Sequence, residues 1–368
     1  MKDVVVIGAG KIGSMIADLL ANSRSYRVIV ADCSRNQLDR LETAATISME
    51  VVDVQNSADL VRLLTSKFAV LSAVPYNLTA QIAEASKAAG AHYLDLTEDV
   101  AATRRVKSLA AGAGTAFIPQ CGLAPGFISI VAHDLVKRYE TLDTVRMRVG
   151  ALPRYPSNAL NYNLTWSTDG VINEYCEPCE AIVDGKLRDV PPLEEREEFS
   201  LDGVTYEAFN TSGGLGTLCE TLEGRVRSLN YKTIRYPGHA AIMKALLHDL
   251  RLRDRREVLK DILEHAVPST MQDVVVVFVT VSGTRGGRLV QETYANKIYA
   301  QSINGIARSA IQITTAAGIC ALLDLLTAGD IPSSGLILQE NVALPKFLEN
   351  RFSRVYATAD AVHSAETA

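Results

Sequence analysis

The chain has 368 residues, 48% of them hydrophobic, with 37 Lys and Arg against 42 Asp and Glu for a net charge of −5. That length suits two domains with sizeable cores. The mild acidic balance, without a block of Lys or Arg, leaves no nucleic-acid footprint.

Val4-Val5-Val6-Ile7 reads as a buried parallel strand. Gly8-Ala9-Gly10-Lys11-Ile12-Gly13 follows, a G-x-G-x-x-G opening a helix to about residue 20. Gly8 permits the tight turn, Gly10 lets a pyrophosphate approach the backbone, and Gly13 lets helix and strand pack closely. The helix N-terminus offers unpaired N–H groups to the phosphates. A second strand over 27–31 ends at Asp32, where a carboxylate binds the adenosine ribose hydroxyls. The acid favours NAD over NADP, because it repels a 2′-phosphate. Arg35, three residues on, is the one local argument for the phosphate.

Strand and helix patterns go on alternating. Strands are expected over 47–52, 68–73, 92–96 and 115–119, with helices over 57–64, 78–89 and 98–111. This is the pattern of a doubly wound parallel sheet, whose ligands bind beyond the carboxyl ends of the strands. Lys11 and Ile12 in the glycine turn, Asp53, Ser72-Ala73-Val74-Pro75 and Asp95-Leu96-Thr97 therefore lie on the cofactor side. Gln120-Cys121-Gly122-Leu123-Ala124-Pro125-Gly126 then enters a helix over 127–138. Free N–H groups there are expected to point at the nicotinamide or a substrate carboxylate, which brings in Leu123 and Pro125.

From residue 142 the texture changes to alternating strands, 204–211, 228–236, 274–282 and 289–300, with helices over 238–250 and 255–265. A long Pro-, Tyr- and Asn-rich stretch over 153–192 reads as irregular. This is an α+β second domain. A closing helix is expected from about Gly305 to Thr327, and the tail after Val355 to fray. The apolar stretch 309–326 reads as a buried helix rather than a membrane span.

Six cysteines, Cys33, Cys121, Cys176, Cys179, Cys219 and Cys320, are too dispersed for a disulfide framework. A reducing cytoplasm is expected, and an N-terminus that enters a strand directly carries no signal peptide. Cys176 and Cys179 form a single C-x-x-C without a second ligand pair, so no metal is expected.

Two stretches of the second domain offer chemistry. Asn210-Thr211-Ser212-Gly213-Gly214-Leu215-Gly216-Thr217 has the composition of an anion-binding nest, or of a plain loop before a helix. In Tyr231-Lys232-Thr233-Ile234-Arg235-Tyr236-Pro237-Gly238-His239, Arg235 suits a carboxylate and Lys232 or His239 a proton. Strand alternation puts Lys232 and Arg235 on opposite faces. Tyr162, Asn163 and Trp166 add polar groups and the only tryptophan.

Taken together, Gly8 to Gly13, Tyr93-Leu94-Asp95-Leu96, Cys121 to Gly126, Tyr162-Asn163 through Trp166-Ser167, Thr211 to Gly214, and Tyr231 to Tyr236 with Gly238-His239 resemble the saccharopine dehydrogenase family. The likeness runs through nearly the whole chain and is greatest to its lysine 6-dehydrogenase branch. It implies a Rossmann domain over 1–125 and 303–368, and a substrate and dimerisation domain over 126–302. It implies an NAD-dependent homodimer that oxidises the ε-carbon of L-lysine, releasing ammonia and a semialdehyde that cyclises. Asp95 and Lys232 are the candidate bases. Tyr162, Asn163, Thr211, Ser212, Gly213, Arg235 and His239 are the substrate-binding candidates, the Thr211–Gly214 turn and Arg235 on the α-carboxylate. The alternatives are the glutamate-forming saccharopine reaction, an acylating Cys121 of the semialdehyde dehydrogenase kind, and a regulator that binds NAD(H) without catalysis.

Overall fold

The protein is described from a computed structural model, over residues 1–357. Over these residues it splits into two compact units, 1–130 with 302–307 and 312–357, and 131–301 with 308–311. In chain order the first unit begins β1 (Lys2–Ile7), α1 (Lys11–Asn22), β2 (Tyr26–Asp32), α2 (Arg35–Asp39), β3 (Ser48–Val51) and α3 (Ser57–Leu64). It continues β4 (Ala69–Ser72), α4 (Thr79–Ala89), β5 (His92–Asp95), α5 (Val100–Ala110) and β6 (Ala116–Ile118), and α6 (Phe127–Val136) leads out of it.

The second unit holds β7 (Thr141–Pro153), α7 (Thr168–Cys176), β8 (Cys179–Val183), β9 (Lys186–Val190), β10 (Glu197–Leu201) and β11 (Val204–Asn210). Then come α8 (Leu218–Leu222), β12 (Val226–Arg235), α9 (His239–Lys244), α10 (Arg256–Ala266), β13 (Asp273–Arg285) and β14 (Arg288–Tyr299). The chain then forms β15 (Gln301–Ile303), β16 (Ile306–Arg308), α11 (Ala310–Ala328), β17 (Gly335–Leu336) and α12 (Leu344–Glu349).

The first unit is a parallel sheet in the order β17-β6-β5-β4-β1-β2-β3. The strand order reverses between β1 and β4, which is where such sheets open a crevice at their carboxyl ends. The doubly wound expectation holds because the central strands are near-continuous apolar runs, with Val4, Val5, Val6, Val70 and Leu71 fully buried. The second unit is a mixed sheet, β10-β11-β12-β7-β13-β14, with the β8–β9 hairpin also on β12. One face is covered by a cluster that includes Tyr162, Ile172, Tyr175, Phe209, Met243 and Leu259.

Several boundaries differ from the sequence expectation. The stretch 153–192 is irregular only over 154–167; beyond that it contains α7, capped by the Ser167 hydroxyl on the Gly170 N–H, and the β8–β9 hairpin. Its short runs lack the length that makes a period visible. The helix expected over 238–250 is present, as α9 running without a break into a π-helical turn over Ala245–Asp249 closed by Leu250 N–H to Ala245 C=O. The closing helix begins at Ala310 rather than Gly305: Asn304 and Gly305, with φ of 52° and 82°, turn the β15–β16 hairpin. At the C-terminal end Tyr356 is fully buried, so fraying does not begin at Val355, and residues 358–368 of the expected frayed tail lie outside the described residues. Helix α11 is long and apolar enough to cross a membrane, and most of it is buried within the protein.

Candidate functional site

In the first unit each glycine of the opening turn has a measurable reason. Gly8 sits at φ 105°, and a Cβ there would lie 2.6 Å from the Ala73 carbonyl oxygen at the end of β4. A Cβ on Gly13 would lie 1.7 Å from the Gly8 oxygen, so α1 can meet β1 this closely only without a side chain. Gly10 has nothing within 4 Å of its would-be Cβ and caps α1 without a side-chain bond, so the helix N-terminus faces open space. Ala73 packs against both Gly8 and Gly13, and its N–H donates to the Ile7 carbonyl. Lys11 is exposed and Ile12 partly buried at the helix start.

Asp32 ends β2 and ties the turn together: Oδ2 accepts the Ala9 N–H at 2.8 Å and Oδ1 the Ser34 N–H at 2.8 Å. Arg35 starts α2 and pairs with Asp39, four residues on, at 3.0 Å in solvent. Asp53 is exposed after β3, its carboxylate accepting the Gln55 N–H. Ser72 is buried at the end of β4, and Val74 and Pro75 follow toward the surface. An open glycine, a free helix N-terminus and an acid at the end of β2 suit a dinucleotide.

Leu123 and Pro125 answer differently. The N–H groups of Phe127 and Ile128 donate to the carbonyls of Gly122 and Leu123, closing a compact corner, and both Leu123 and Pro125 are buried. Two of the N–H groups expected to be free, those of Phe127 and Ile128, are thus used internally, and a Cβ on Gly126 would lie 2.1 Å from the Gly122 oxygen, so the turn folds onto itself.

Beside this corner Asp95 ends β5, 1% exposed and in register with Ser72 of β4. Its Oδ1 accepts the N–H groups of Thr97 at 3.1 Å and Gln120 at 2.8 Å, and its Oδ2 accepts the Tyr93 hydroxyl at 2.9 Å. Burial pushes its carboxyl up to about 6, with the three hydrogen bonds opposing. Cys121 is buried, its thiol donating to the Ile118 carbonyl at 2.8 Å, and both burial and the Asp95 charge push its pKa up. A thiol held protonated is a poor nucleophile, which weighs against the acylating alternative. Sequence reasoning missed Gln120, a buried non-glycine residue at φ 63°, and Gln339, whose side-chain amide donates to the Pro119 carbonyl at 2.8 Å.

In the second unit Arg235 ends β12, 2% exposed. Its Nε donates to the Tyr175 hydroxyl at 2.9 Å and Nη1 to the Ile234 carbonyl at 2.9 Å. The guanidinium lies 5.0 Å from the Tyr162 ring centre and 5.8 Å from that of Tyr175. His239 opens α9, with Nδ1 2.9 Å from the Leu160 carbonyl and Nε2 3.1 Å from the Tyr175 hydroxyl. Burial and then the Arg235 charge push its pKa down to about 3. Both nitrogens are engaged and burial favours the neutral ring, which weighs against the proton role that His239 shared with Lys232 as a candidate.

Lys232 lies where strand alternation expects it. It projects from the other face of β12, in register with Arg148, where Nζ donates to the Glu195 carbonyl at 2.6 Å and lies 3.9 Å from the carboxylates of Glu195 and Glu197. The structure does not bring it to Arg235, as the odd separation along a strand requires. Nor is the Thr211–Gly214 turn an open nest. The Ser212 N–H donates to the Glu174 carbonyl and Gly213 accepts from the Gly216 N–H. A Cβ on Gly214 would lie 2.2 Å from the Tyr231 ring, so that glycine serves packing.

What remains open there is side-chain chemistry. The Tyr162 hydroxyl, Asn163 Oδ1, Thr165 Oγ1 and Thr211 Oγ1 are buried without a hydrogen-bond partner among the described residues. Buried polar atoms are seldom left so, and a polar ligand is one way to satisfy them. Sequence reasoning also missed Tyr175, and Glu207, whose buried carboxylate accepts the Gly238 and Ala240 N–H groups and caps α9. No period marks either residue, since each matters through a partner far along the chain.

Residues 4–118 match the family model described as the saccharopine dehydrogenase NADP binding domain, and residues 122–355 the saccharopine dehydrogenase C-terminal domain. The first match supports a nicotinamide nucleotide as the cofactor. Among curated proteins, the mitochondrial alpha-aminoadipic semialdehyde synthase of Rattus norvegicus is 22% identical over 318 residues, 81% of this chain and 33% of that protein. The NADP(+), L-glutamate-forming saccharopine dehydrogenase of Saccharomyces cerevisiae is 22% identical over 271 residues, 69% of this chain and 59% of that one. The chain thus spans about a third of the rat protein's length and under two thirds of the yeast protein's. The solved apo structure of the L-Glu-forming saccharopine dehydrogenase of Saccharomyces cerevisiae superposes with a TM-score of 0.78 at 17% identity, over 94% of this chain and 95% of that one, which shows the shared fold. With both family models matched across its two units, the chain belongs to the saccharopine dehydrogenase family.

Proposed function

We propose that the protein is a nicotinamide-dependent dehydrogenase that oxidises the ε-carbon–nitrogen bond of a lysine-type amino acid, L-lysine first. The observation that carries this reading is Asp95, a buried carboxyl raised to about 6 at the carboxyl end of β5 in a dinucleotide-binding sheet. Hydride departs only from a neutral amine, and deprotonating a lysine ammonium costs on the order of 4–5 kcal/mol near neutrality. An apolar pocket lowers the amine's own pKa, and a carboxylate raised to about 6 narrows the gap from the other side. Oδ2 of Asp95 takes one hydrogen from Tyr93 and keeps acceptor capacity for an amine proton. A bound nicotinamide would supply the hydride acceptor for the ε-carbon. Water then attacks the substrate's C=N bond, releasing ammonia and the semialdehyde.

Arg235 is assigned the α-carboxylate, and the hydroxyls of Tyr162 and Thr211 with the Asn163 amide oxygen the remaining polar groups. L-lysine stands first because it brings one carboxylate, and Arg235 is the cation of the Tyr162–Tyr175–His239 cluster among the described residues. Saccharopine is the second reading, supported by the yeast relative's activity; there the same step releases glutamate instead of ammonia. Asp32 supports NAD, while the NADP binding domain match and the solvent-exposed Arg35 support NADP. The expected homodimer is supported by β14, a twelve-residue strand paired on one side only, with Leu289 79% exposed.

The test is absorbance of reduced nicotinamide with L-lysine, saccharopine and L-ornithine, each with NAD and NADP. Lysine-dependent reduction with ammonia release is the expected outcome. Turnover of saccharopine alone moves the assignment to the second reading. Tight cofactor binding with silence on all three leaves the regulator reading and ends this one.

A further inference from the structure

The hydrogen-bonded chain Leu160–His239–Tyr175–Arg235 has one direction only. The Leu160 carbonyl can only accept, so Nδ1 of His239 carries the ring proton and Nε2 is the acceptor. The single Tyr175 hydroxyl hydrogen therefore goes to Nε2, at 3.1 Å, and its oxygen is left to accept Nε–H of Arg235 at 2.9 Å. All three side chains are 2% exposed or less, so water offers no alternative partner. A protonated His239 would reverse the chain and set a second cation beside Arg235; burial and that repulsion hold the ring neutral.

The consequence falls on the guanidinium plane. Nε is fixed by Tyr175 and one Nη1 hydrogen by the Ile234 carbonyl, while two aromatic rings, Tyr162 and Tyr175, flank the group. Two of five N–H groups are thereby taken, and the others have no hydrogen-bond partner among the described residues. Bidentate carboxylate recognition needs such a fixed plane.

We infer that Tyr175 is a positioning residue: by linking the fixed tautomer of His239 to Nε of Arg235, it aims the remaining guanidinium N–H groups at the carboxylate of a free amino acid. This rests on the reading of Arg235 as the carboxylate anchor, and the test separates the two. Tyr175→Phe keeps the ring and its edge contact with Phe209, at 5.7 Å between centres, and removes only the link. The Nε–H of Arg235 and the His239 ring nitrogens are read by NMR on the full chain labelled at Arg and His. Binding of L-lysine and saccharopine is read by calorimetry, and kcat and KM on whichever is turned over.

The wild type is expected to show a protected Arg235 Nε–H and a neutral Nδ1-protonated His239 under mildly acidic conditions. Tyr175→Phe loses the protection and raises Kd and KM about tenfold with a much smaller effect on kcat, the size expected for one hydrogen bond to a charged group. Unchanged Kd and KM, or a loss confined to kcat, overturns the inference. If the wild type binds neither amino acid, the reading of Arg235 fails and takes the aiming role with it, even where the NMR signals show the chain intact. His239→Gln, whose amide can donate to Leu160 and accept from Tyr175, is expected to keep Arg235 Nε–H protected. Its loss there, with the fold retained, also overturns the inference.

Discussion

The two units build their polar chemistry in opposite ways. The β1–α1 turn works through backbone: three glycines and one acid, spaced within 25 residues from Gly8 to Asp32, with geometry set by close approaches of 1.7 and 2.6 Å that no side chain tolerates. The Arg235 cluster works through the side chains of Tyr162, Tyr175, Arg235 and His239, with the Leu160 carbonyl at its end. A backbone device must be written contiguously and in glycine. A side-chain device needs only that the fold return its members to one place.

The comparison can be broken at its extremes. The largest effect is expected from Asp95→Asn, which lowers turnover by about 100- to 10,000-fold if Asp95 is the base, measured as kcat on the substrate identified. Turnover within a few fold of wild type would remove Asp95 from the chemistry. Next, Gly13→Ala drives a Cβ into the Gly8 oxygen and is expected to cost about 3 kcal/mol or more of stability and to abolish cofactor binding. Thermal unfolding and fluorescence titration with reduced nicotinamide dinucleotide check both. Gly10→Ala, with open space around its Cβ, is expected to keep stability and weaken only cofactor binding.

The units also differ in their response to pH. Asp95 is raised from 3.8 to about 6 in the folded state, so the folded form binds the extra proton across that window. Its contribution is full below about pH 4 and lost as pH rises through about 6, about 3 kcal/mol in all. His239 is lowered from 6.5 to about 3, so the unfolded form binds the extra proton. Its contribution is full above about pH 6.5 and lost as pH falls toward 3, up to about 5 kcal/mol. Denaturant midpoints across this range should rise more steeply with pH in Asp95→Asn than in wild type, and less steeply in His239→Gln. Identical slopes in all three would refute the assignment. The smallest effect is expected from Arg35→Ala, whose exposed pair with Asp39 contributes under about 1 kcal/mol to stability. If it lowers KM for NADP relative to NAD, or leaves the ratio unchanged, Arg35 is no phosphate ligand.

This contrast also explains what could be read beforehand. The Rossmann sheet was legible because strand runs such as Val4–Ile7 and the glycine spacing are local signals, and α3 was bounded at 57–64 from its pattern alone. The residues Arg235, Tyr162 and His239 were legible by type, but their arrangement was not. Nothing within a few residues of Tyr175 announces a partner 60 positions away. The Thr211–Gly214 turn stayed open between an anion nest and a plain loop for a related reason: the role of Gly214, which makes room for the Tyr231 ring, depends on a residue outside the turn. At Lys232 strand alternation alone was sufficient, and the structure puts it with Arg148 and Glu197 as that rule requires.

Strand β17 lies at the edge of the first sheet, its Gly335 and Leu336 in register with Ala116 and Phe117 of β6. More than 200 residues of chain, the whole second unit among them, separate these partners in the order of synthesis. On the ribosome, the nascent first unit therefore carries β6 as an open edge while the second unit emerges. The first unit acquires strand β17, and the Tyr356 ring that stacks 3.9 Å from Phe127, only after the second unit has been synthesised. A chain released early, before residue 335, is expected to expose that edge and to associate through it.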